Sequence, residues 1–378
     1  MIYPDINEFL HALRTQALRA MPPGAEVFLS AGCSGLWYFN WIRDNYPGIK
    51  QHLGVEAYSP KPDSLPDEAV WLTDHIYDMK SVSSNSADIV FAGQTVEHLW
   101  PNQMVGFLCE AHRVLNSDGW LILDSPNRIV TQGLGWQHNE HTMEFTVDEI
   151  VHLVQLAGFS QPRVKGVWQC YDRNSHTFLP FEPDLKIMDI GTNTRVISAV
   201  PHPEDSFIWW LEAQKDPARS PDRAKLSLAV DAIYHRELNR TLQRVRTYSG
   251  VIEGYGDSQT ISMPQGKAGF VRFGPYMPLQ PGRYTVRFQI ATAPFQAHLG
   301  LRHYAAPAAT IDVVTQAGNT VLAKRLLRGF DLFASQAGFR TFELHLTLDQ
   351  ATFGVEFRVS STGQLPITVR SAIELVAN

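Results

Sequence analysis

A chain of 378 residues, at roughly 150 residues per domain, is long enough for two or three domains, and its 44% hydrophobic, 11% aromatic and 19% charged content excludes wholesale disorder, a fibrous repeat and a membrane bundle. Charge is uneven: residues 1–216 hold 14 basic and 27 acidic residues (−13), residues 217–378 hold 18 and 11 (+7), and the overall −6 disfavours nucleic acid as a partner. All nine Trp and all three Cys precede residue 211, so two modules of different construction are expected.

Three scattered cysteines cannot make a disulfide framework, and no Cys or His spacing suggests zinc, so a reduced cytoplasmic setting without a metal is expected. The opening MIYPDINEFLHALRTQAL has acids where a secretory signal needs basic residues. No apolar run reaches the length of a membrane span, which leaves only peripheral association with a membrane.

Taken in chain order, Pro4 to Ala20 spaces Ile6, Phe9, Leu10, Leu13 and Leu18 as an amphipathic helix whose expected role is packing. The run Val27 to Ala31, the turn Gly32-Cys-Ser-Gly35 and the stretch Trp37 to Asn45 read as strand, tight turn and helix. Short strands follow at His52 to Glu56, Ala69 to Thr73, Asp88 to Ala92 and Trp120 to Asp124. A helix from Asn102 to Leu115, ended by Asn116-Ser-Asp-Gly119, separates the last two. Thr146 with Glu149 three residues on is a capping box for a helix running to Gly158. Val164 to Gln169 and Ser206 to Glu212 complete a mostly parallel α/β sheet, with residues 171–205 as an irregular insertion of the kind that serves as a loop or lid.

Residues 217–247 read as a polar helical connector, with seven basic residues against three acids and a narrow apolar stripe at 226, 230, 233, 238, 242 and 245. This suits a solvated connecting or dimer helix better than an anion-binding surface. Beyond residue 248, strands at 268–273, 283–290, 310–314, 342–348, 353–359 and 367–375, separated by Pro and Gly turns, predict an antiparallel β-sandwich. The expected domains are therefore 1–216, 217–247 and 248–378.

The turn Ser30-Ala31-Gly32-Cys33-Ser-Gly35 lets a ligand approach the backbone and the amino end of a helix, and Glu56, 24 residues beyond Gly32, lies where an acid can accept hydrogen bonds from both hydroxyls of a ribose. Asp74 could reach an adenine amino group from the adjacent strand. Cys33 reads as a small packing residue, and Trp37 and Trp41 as core.

With Val27 to Gly35, Glu56, Trp71 to Met79 and Ser86 to Ala92, the stretches Gln94-Thr-Val-Glu-His-Leu99, Glu110-Ala-His-Arg-Val-Leu-Asn-Ser-Asp-Gly119 and Phe145-Thr to Gly158-Phe159 resemble class I S-adenosylmethionine-dependent methyltransferases over residues 25–215. The resemblance implies a Rossmann-like, seven-stranded, mostly parallel sheet. It implies S-adenosylmethionine as cofactor, bound by Ser30, Ala31, Gly32, Cys33, Gly35, Glu56, Ala57, Asp74, His75 and Gln94. Two departures stand out: Ser30 replaces the usual acid of the first motif, and Ser34 and Gly35 stand for its later glycines. A Rossmann dehydrogenase is the competing reading, disfavoured by the incomplete GxGxxG.

For a hydroxyl acceptor the protein must supply a base. The candidates are His98, which could equally order the loop below the cofactor, and His138 and His141, with Glu140 as a partner. Trp136 is a candidate stacking surface, and Asp124 a residue that could bind an ion or acceptor hydroxyl, or cap. In the carboxyl-terminal part, Phe273-Gly-Pro-Tyr276 to Arg283-Tyr-Thr-Val and Gly354-Val-Glu-Phe-Arg358-Val resemble carbohydrate-binding-like sandwich domains of bacterial polysaccharide enzymes. Together the two resemblances imply O-methylation of a sugar of a bacterial cell-surface polysaccharide, with chain capping as one form it could take. The alternatives are a glycosylated small-molecule acceptor, or a non-catalytic assembly module that oligomerises through the 217–247 helix or the sandwich.

Overall fold

The computed structural model describes residues 5–182, 190–244, 246–293, 300–333 and 338–378. They divide into two compact units, the first running to Gln137 and including Thr142–Tyr234, the second comprising His138–His141 and the chain from His235.

In the first unit the Asp5 side chain accepts from the Glu8 N–H and caps helix α1 (Ile6–Leu18), which buries Ile6, Phe9, Leu10 and Leu18 as its spacing predicts. Then come β1 (Val27–Ala31), α2 (Trp37–Asn45), β2 (Gln51–Val55), β3 (Ala69–Leu72), β4 (Ala87–Gly93), α3 (Pro101–Val114), β5 (Leu115–Pro126), α4 (Arg128–Gly133), α5 (Val147–Leu156) and β6 (Phe159–Gln169). The hairpin β7 (Tyr171–Asp172) and β8 (Thr177–Phe178), α6 (Ile190–Ala199) and β9 (Ser206–Lys215) complete the unit before α7 (Arg223–Gln243). The sheet order is β3-β2-β1-β4-β5-β9-β6. The first five strands are parallel, and β9 runs antiparallel to both its neighbours. This is the Rossmann-like sheet that the resemblance implies.

Apolar runs in β1, β4 and β5 are buried on both faces, as a sheet covered by helices on two sides requires. The capping box of α5 forms: Thr146 Oγ1 accepts from the Glu149 N–H at 3.3 Å and Glu149 Oε2 from the Thr146 N–H at 3.0 Å. Glu149 also pairs with the buried Arg128. Three local expectations change. Asn116 to Gly119 lies inside β5 rather than between helix and strand. The 171–205 segment, of which 183–189 lie outside the described residues, is not irregular throughout: it carries the β7–β8 hairpin and α6. Arg195 of α6 packs 3.7 Å over the Trp168 ring and donates to the Gln169 carbonyl, which ties the segment to the sheet. Finally, α7 is not a merely solvated connector, because Leu226, Val230 and Ile233 are core residues of the first unit and Leu242 is one of the second. Position 245 of its expected stripe lies outside the described residues.

The second unit contains β10 (Val251–Glu253), β11 (Thr260–Met263), β12 (Gly269–Arg272), β13 (Pro275–Leu279), β14 (Gly282–Thr292), α8 (Gly300–Ala305), β15 (Pro307–Thr315), β16 (Thr320–Arg328), α9 (Gly329–Leu332), β17 (Arg340–Leu348), β18 (Thr352–Ser361), β19 (Ile367–Arg370) and β20 (Glu374–Ala377). One antiparallel sheet has the order β10-β11-β19-β14-β17, with β20 on β14; the other is β12-β18-β15-β16, with β13 on β18. Strict alternation in β17 sends Phe342, Leu344, Leu346 and Leu348 inward, where they meet Ile311, Val313, Val355 and Phe357 of the other sheet in one core. β16, whose pattern is too polar to have been read as a strand, pairs with β15 along nearly its whole length. No helix among the described residues is long and apolar enough to cross a membrane.

Candidate functional site

The carboxyl ends of β1, β2 and β4 lie side by side, which is where an open α/β sheet binds ligands. At the end of β1 the Gly32 N–H donates to the Val55 carbonyl at 2.9 Å, and Gly32 and Gly35 take φ values of +80° and +75°. A Cβ on Gly32 would lie 2.7 Å from Thr95 Cγ2, whereas one on Gly35 would meet nothing within 4 Å. Gly32 therefore lets the turn close onto the loop after β4, and Gly35 leaves backbone open to a ligand. Helix α2 then starts at Trp37 without a capping side chain.

Glu56 follows β2 and is buried; its Oε1 accepts from the N–H groups of Tyr58 (2.7 Å) and Ser59 (2.9 Å). These two bonds fix the carboxylate through one of its oxygens. Beyond it Tyr58, His75 and Tyr77 form an aromatic edge, with His75 stacked on Tyr77 at 4.8 Å and 5.5 Å from Tyr58. Burial and a hydrogen bond with Tyr77 push the Tyr58 phenol up to about 12, so it stays protonated. Sequence reasoning named His75 but missed the two tyrosines, whose only signal was their nearness to Glu56 and Asp74. The Asp74 carboxylate is engaged by Ser81, accepting from its N–H at 2.6 Å. Half-buried Ala57 bridges Glu56 to Tyr58.

Two of the motif residues are buried beneath the turn. Ser30 Oγ hydrogen-bonds His52 Nε2 at 2.8 Å, and burial holds the His52 imidazole down to about 3, so a neutral pair occupies the place of an acid. Cys33 is a packing thiol, pushed up to about 12 by burial and by the nearby Glu56 carboxylate.

At the end of β4, Gln94 has φ +53° and its side chain donates to Asp124 Oδ1 at 2.7 Å. Asp124, wholly buried, also accepts a side-on fork from Arg14 of α1, Nε to Oδ1 at 2.7 Å and Nη2 to Oδ2 at 2.9 Å. Its oxygens are thus committed to Arg14 and Gln94, which corrects the expectation of an ion-binding, acceptor-binding or capping role. Burial alone would lower the Arg14 guanidinium, but Asp124 overrides it and holds the group above its ordinary value.

His98 ends a single 3-10 turn, Val96–His98, and its carbonyl accepts from Thr142 Oγ1 at 3.1 Å, so its backbone orders the loop that follows α4. His138 and His141 group with the second unit; their rings lie 4.5 Å apart, and the Glu140 N–H donates to His138 Nδ1. Trp136 is no open stacking platform: it packs edge-on against Phe207 at 5.1 Å and beside Phe181. Trp37, expected in the core, is instead 40% exposed, lies over Trp41 and meets the His11 ring at 4.2 Å.

Residues 29–123 match the family model described as a methyltransferase domain. The matched stretch runs from β1 into β5 of the first unit, so that unit contains a region similar to methyltransferase domains. Over 129 residues the chain is 30% identical to a protein of Mycolicibacterium smegmatis and 36% identical to one of Mycobacterium tuberculosis strain H37Rv, both named probable S-adenosylmethionine-dependent methyltransferases. The alignments take in 34% of this chain and 41% and 39% of those proteins, so the chain spans about two fifths of the length of the curated relatives it matches. A solved methyltransferase from Archaeoglobus fulgidus superposes with a TM-score of 0.39 at 15% identity, covering 56% of this chain and 94% of that one.

The geometry of the first unit would suit S-adenosylmethionine. Gly32 and Gly35 would give a methionine end its approach to the backbone, the fixed Glu56 carboxylate would suit a ribose diol, and Tyr58, His75 and Tyr77 would offer ring surface beside it to an adenine. When bound, S-adenosylmethionine supplies an electrophilic methyl carbon on a sulfonium; the protein's part is to position an acceptor in line and to manage its proton.

Proposed function

We propose that the protein is an S-adenosylmethionine-dependent O-methyltransferase acting on a sugar of a bacterial cell-surface polysaccharide, at the cytoplasmic stage of its assembly. The observation that carries the reaction class is the Gly32–Gly35 turn and fixed Glu56 within the region matched by the methyltransferase model. In this reading Glu56 holds the ribose, the turn from Ser30 to Gly35 receives the methionine end, and Asp74, His75 and Ala57 border the adenine. His98 is assigned to acceptor contact in the first unit, and His138 and His141 to contact with the glycan from the second.

The acceptor class rests on the second unit. Tyr248, 79% exposed, stacks on Phe273 at 4.6 Å and 23° between ring planes, which holds one broad aromatic face to solvent. Arg246 lies 5.5 Å from the Tyr276 ring, and Tyr276 hydrogen-bonds the buried Glu356. A rigid aromatic face flanked by a guanidinium and a phenol is suited to a pyranose, whose C–H face stacks while its hydroxyls hydrogen-bond. Incubation of purified protein with methyl-labelled S-adenosylmethionine and nucleotide-sugars, lipid-linked glycans or polysaccharide tests the reading. Label should appear on a glycan, and label on none of these while free small molecules become labelled would overturn the acceptor class.

A further inference from the structure

The reading above names no group that removes the acceptor's proton from within the first unit, and the helix that looked like plain packing in the sequence supplies one. A cleft of about 400 Å³ opens between α1 and the sheet, lined by Asn7, Glu8, Leu10, His11, Arg14, Gln94 and Ile208. Gln94 ends β4, and Ile208 pairs with Pro126 at the end of β5. The cleft therefore sits over the carboxyl ends of β4 and β5, β4 being a neighbour of β1.

Three observations single out His11. Neither of its ring nitrogens has a hydrogen-bond partner among the described residues, although the ring is half-buried and held edge-on by Trp37 at 4.2 Å and Tyr38 at 6.2 Å. Helix α1 is pinned at that level by the Arg14–Asp124 ion pair, so the imidazole has a fixed height above the strand ends. Burial, and after it the Arg14 charge, lower the imidazole below its ordinary value against an opposing pull from Asp124, so the ring is neutral and can accept a proton at neutral pH.

We infer that this cleft receives the acceptor hydroxyl and that His11 is the base that takes its proton; the inference rests on the methyl-transfer reading. The O–H bond breaks and its proton passes to an imidazole nitrogen. The oxygen's electron pair forms the new O–CH3 bond while the bond from that carbon to sulfur breaks, its pair staying on sulfur and cancelling the positive charge. The imidazolium then gives its proton to water. Gln94, held by Asp124, forms the floor beside the reacting oxygen. The charged and titratable groups facing His11 are Glu8 and Arg14 from α1, Tyr38 from α2 and Asp124 from β5.

The test uses the full chain, methyl-labelled S-adenosylmethionine and a panel of methyl hexopyranosides, with wild type compared to His11→Gln. Calorimetry with S-adenosylhomocysteine should give both proteins the same affinity within about twofold, which shows that the variant is folded. The variant's kcat should fall on the order of a hundredfold or more, and the acid limb of the wild-type pH profile should vanish. In histidine-labelled protein saturated with S-adenosylhomocysteine, the His11 resonance should move when a methylatable hexopyranoside is added. Normal cofactor binding with kcat within threefold of wild type and an unchanged acid limb would overturn the role of His11 alone. Failure of wild type to bind S-adenosylhomocysteine would overturn the methyl-transfer reading, and this inference with it.

Discussion

Ser30 Oγ and His52 Nε2 lie 2.8 Å apart in the interior of the first unit, where the family resembled in the sequence carries an acid. His52 is walled by Phe28 at 5.0 Å and Phe39 at 4.3 Å, and its Nδ1 is buried with no hydrogen-bond partner among the described residues. A carboxylate at position 30 would have to be buried against that wall. The serine keeps the strand end neutral.

The pair makes folding acid-sensitive in a defined window. Folded His52 stays neutral down to about pH 3, whereas in the unfolded chain it titrates near 6.5. Its folded-state value is depressed, so the unfolded state binds the extra proton between those limits: the stability is present in full above about 6.5 and is lost as pH falls toward 3. Urea midpoints at pH 7 and pH 4.5 should fall further for wild type than for His52→Gln. Equal falls would show that His52 is not held neutral.

Cofactor affinity should separate one change at Glu56 from two in the Gly32–Gly35 turn. Glu56→Ala removes an acceptor of charged hydrogen bonds and frees the Tyr58 and Ser59 N–H groups that it orders, so S-adenosylhomocysteine should bind about 10- to 100-fold more weakly by calorimetry. Gly32→Ala adds a clash with Thr95 to the strain of φ +80° and should weaken binding as much, with a lower Tm. Gly35→Ala meets no clash within the protein and should cost only about 1 kcal/mol of stability while still obstructing the ligand.

The Arg14–Asp124 pair is predicted to hold α1 in place. Arg14→Met leaves a buried carboxylate with only Gln94 as partner and should cost about 3–5 kcal/mol by urea unfolding. Adding Asp124→Asn removes the orphaned charge and should recover more than half of that loss. Additive effects in the double variant would mean that the two residues are not coupled.

On the second unit, Tyr248→Ala should leave Tm within a degree or two, because the ring is largely exposed, and should weaken binding to the acceptor glycan about tenfold or more. Unchanged binding on a glycan array would remove Tyr248 from the recognition surface.

Much of this was legible in the sequence. Strand-turn-helix at Val27 to Asn45, the acid at Glu56 and the Thr146–Glu149 capping box are local signals, set by turn chemistry and hydrophobic period. The described geometry places all three as read. What escaped depends on contacts distant in sequence. His11 looked like one face of a packing helix because nothing local shows that Arg14 reaches Asp124, 110 residues away. The same pair absorbs Asp124, which from its place after a strand could have served an ion or a hydroxyl. Trp136 follows the same rule, its partners Phe181 and Phe207 being 45 or more residues on. Leu226 and Val230 stood in the apolar stripe read for α7, but their burial in the first unit's core did not show, because a narrow apolar stripe is ambiguous until its partner surface is known.

The central claim is methyl transfer to a polysaccharide sugar, and product mass spectrometry tests it most directly. Cell-surface glycan incubated with the purified protein and S-adenosylmethionine carrying a deuterated methyl group should gain that methyl on a sugar oxygen. Glu56→Ala protein should leave the glycan unlabelled. A glycan that stays unlabelled with wild type, under conditions where S-adenosylhomocysteine is shown to bind, would contradict the account.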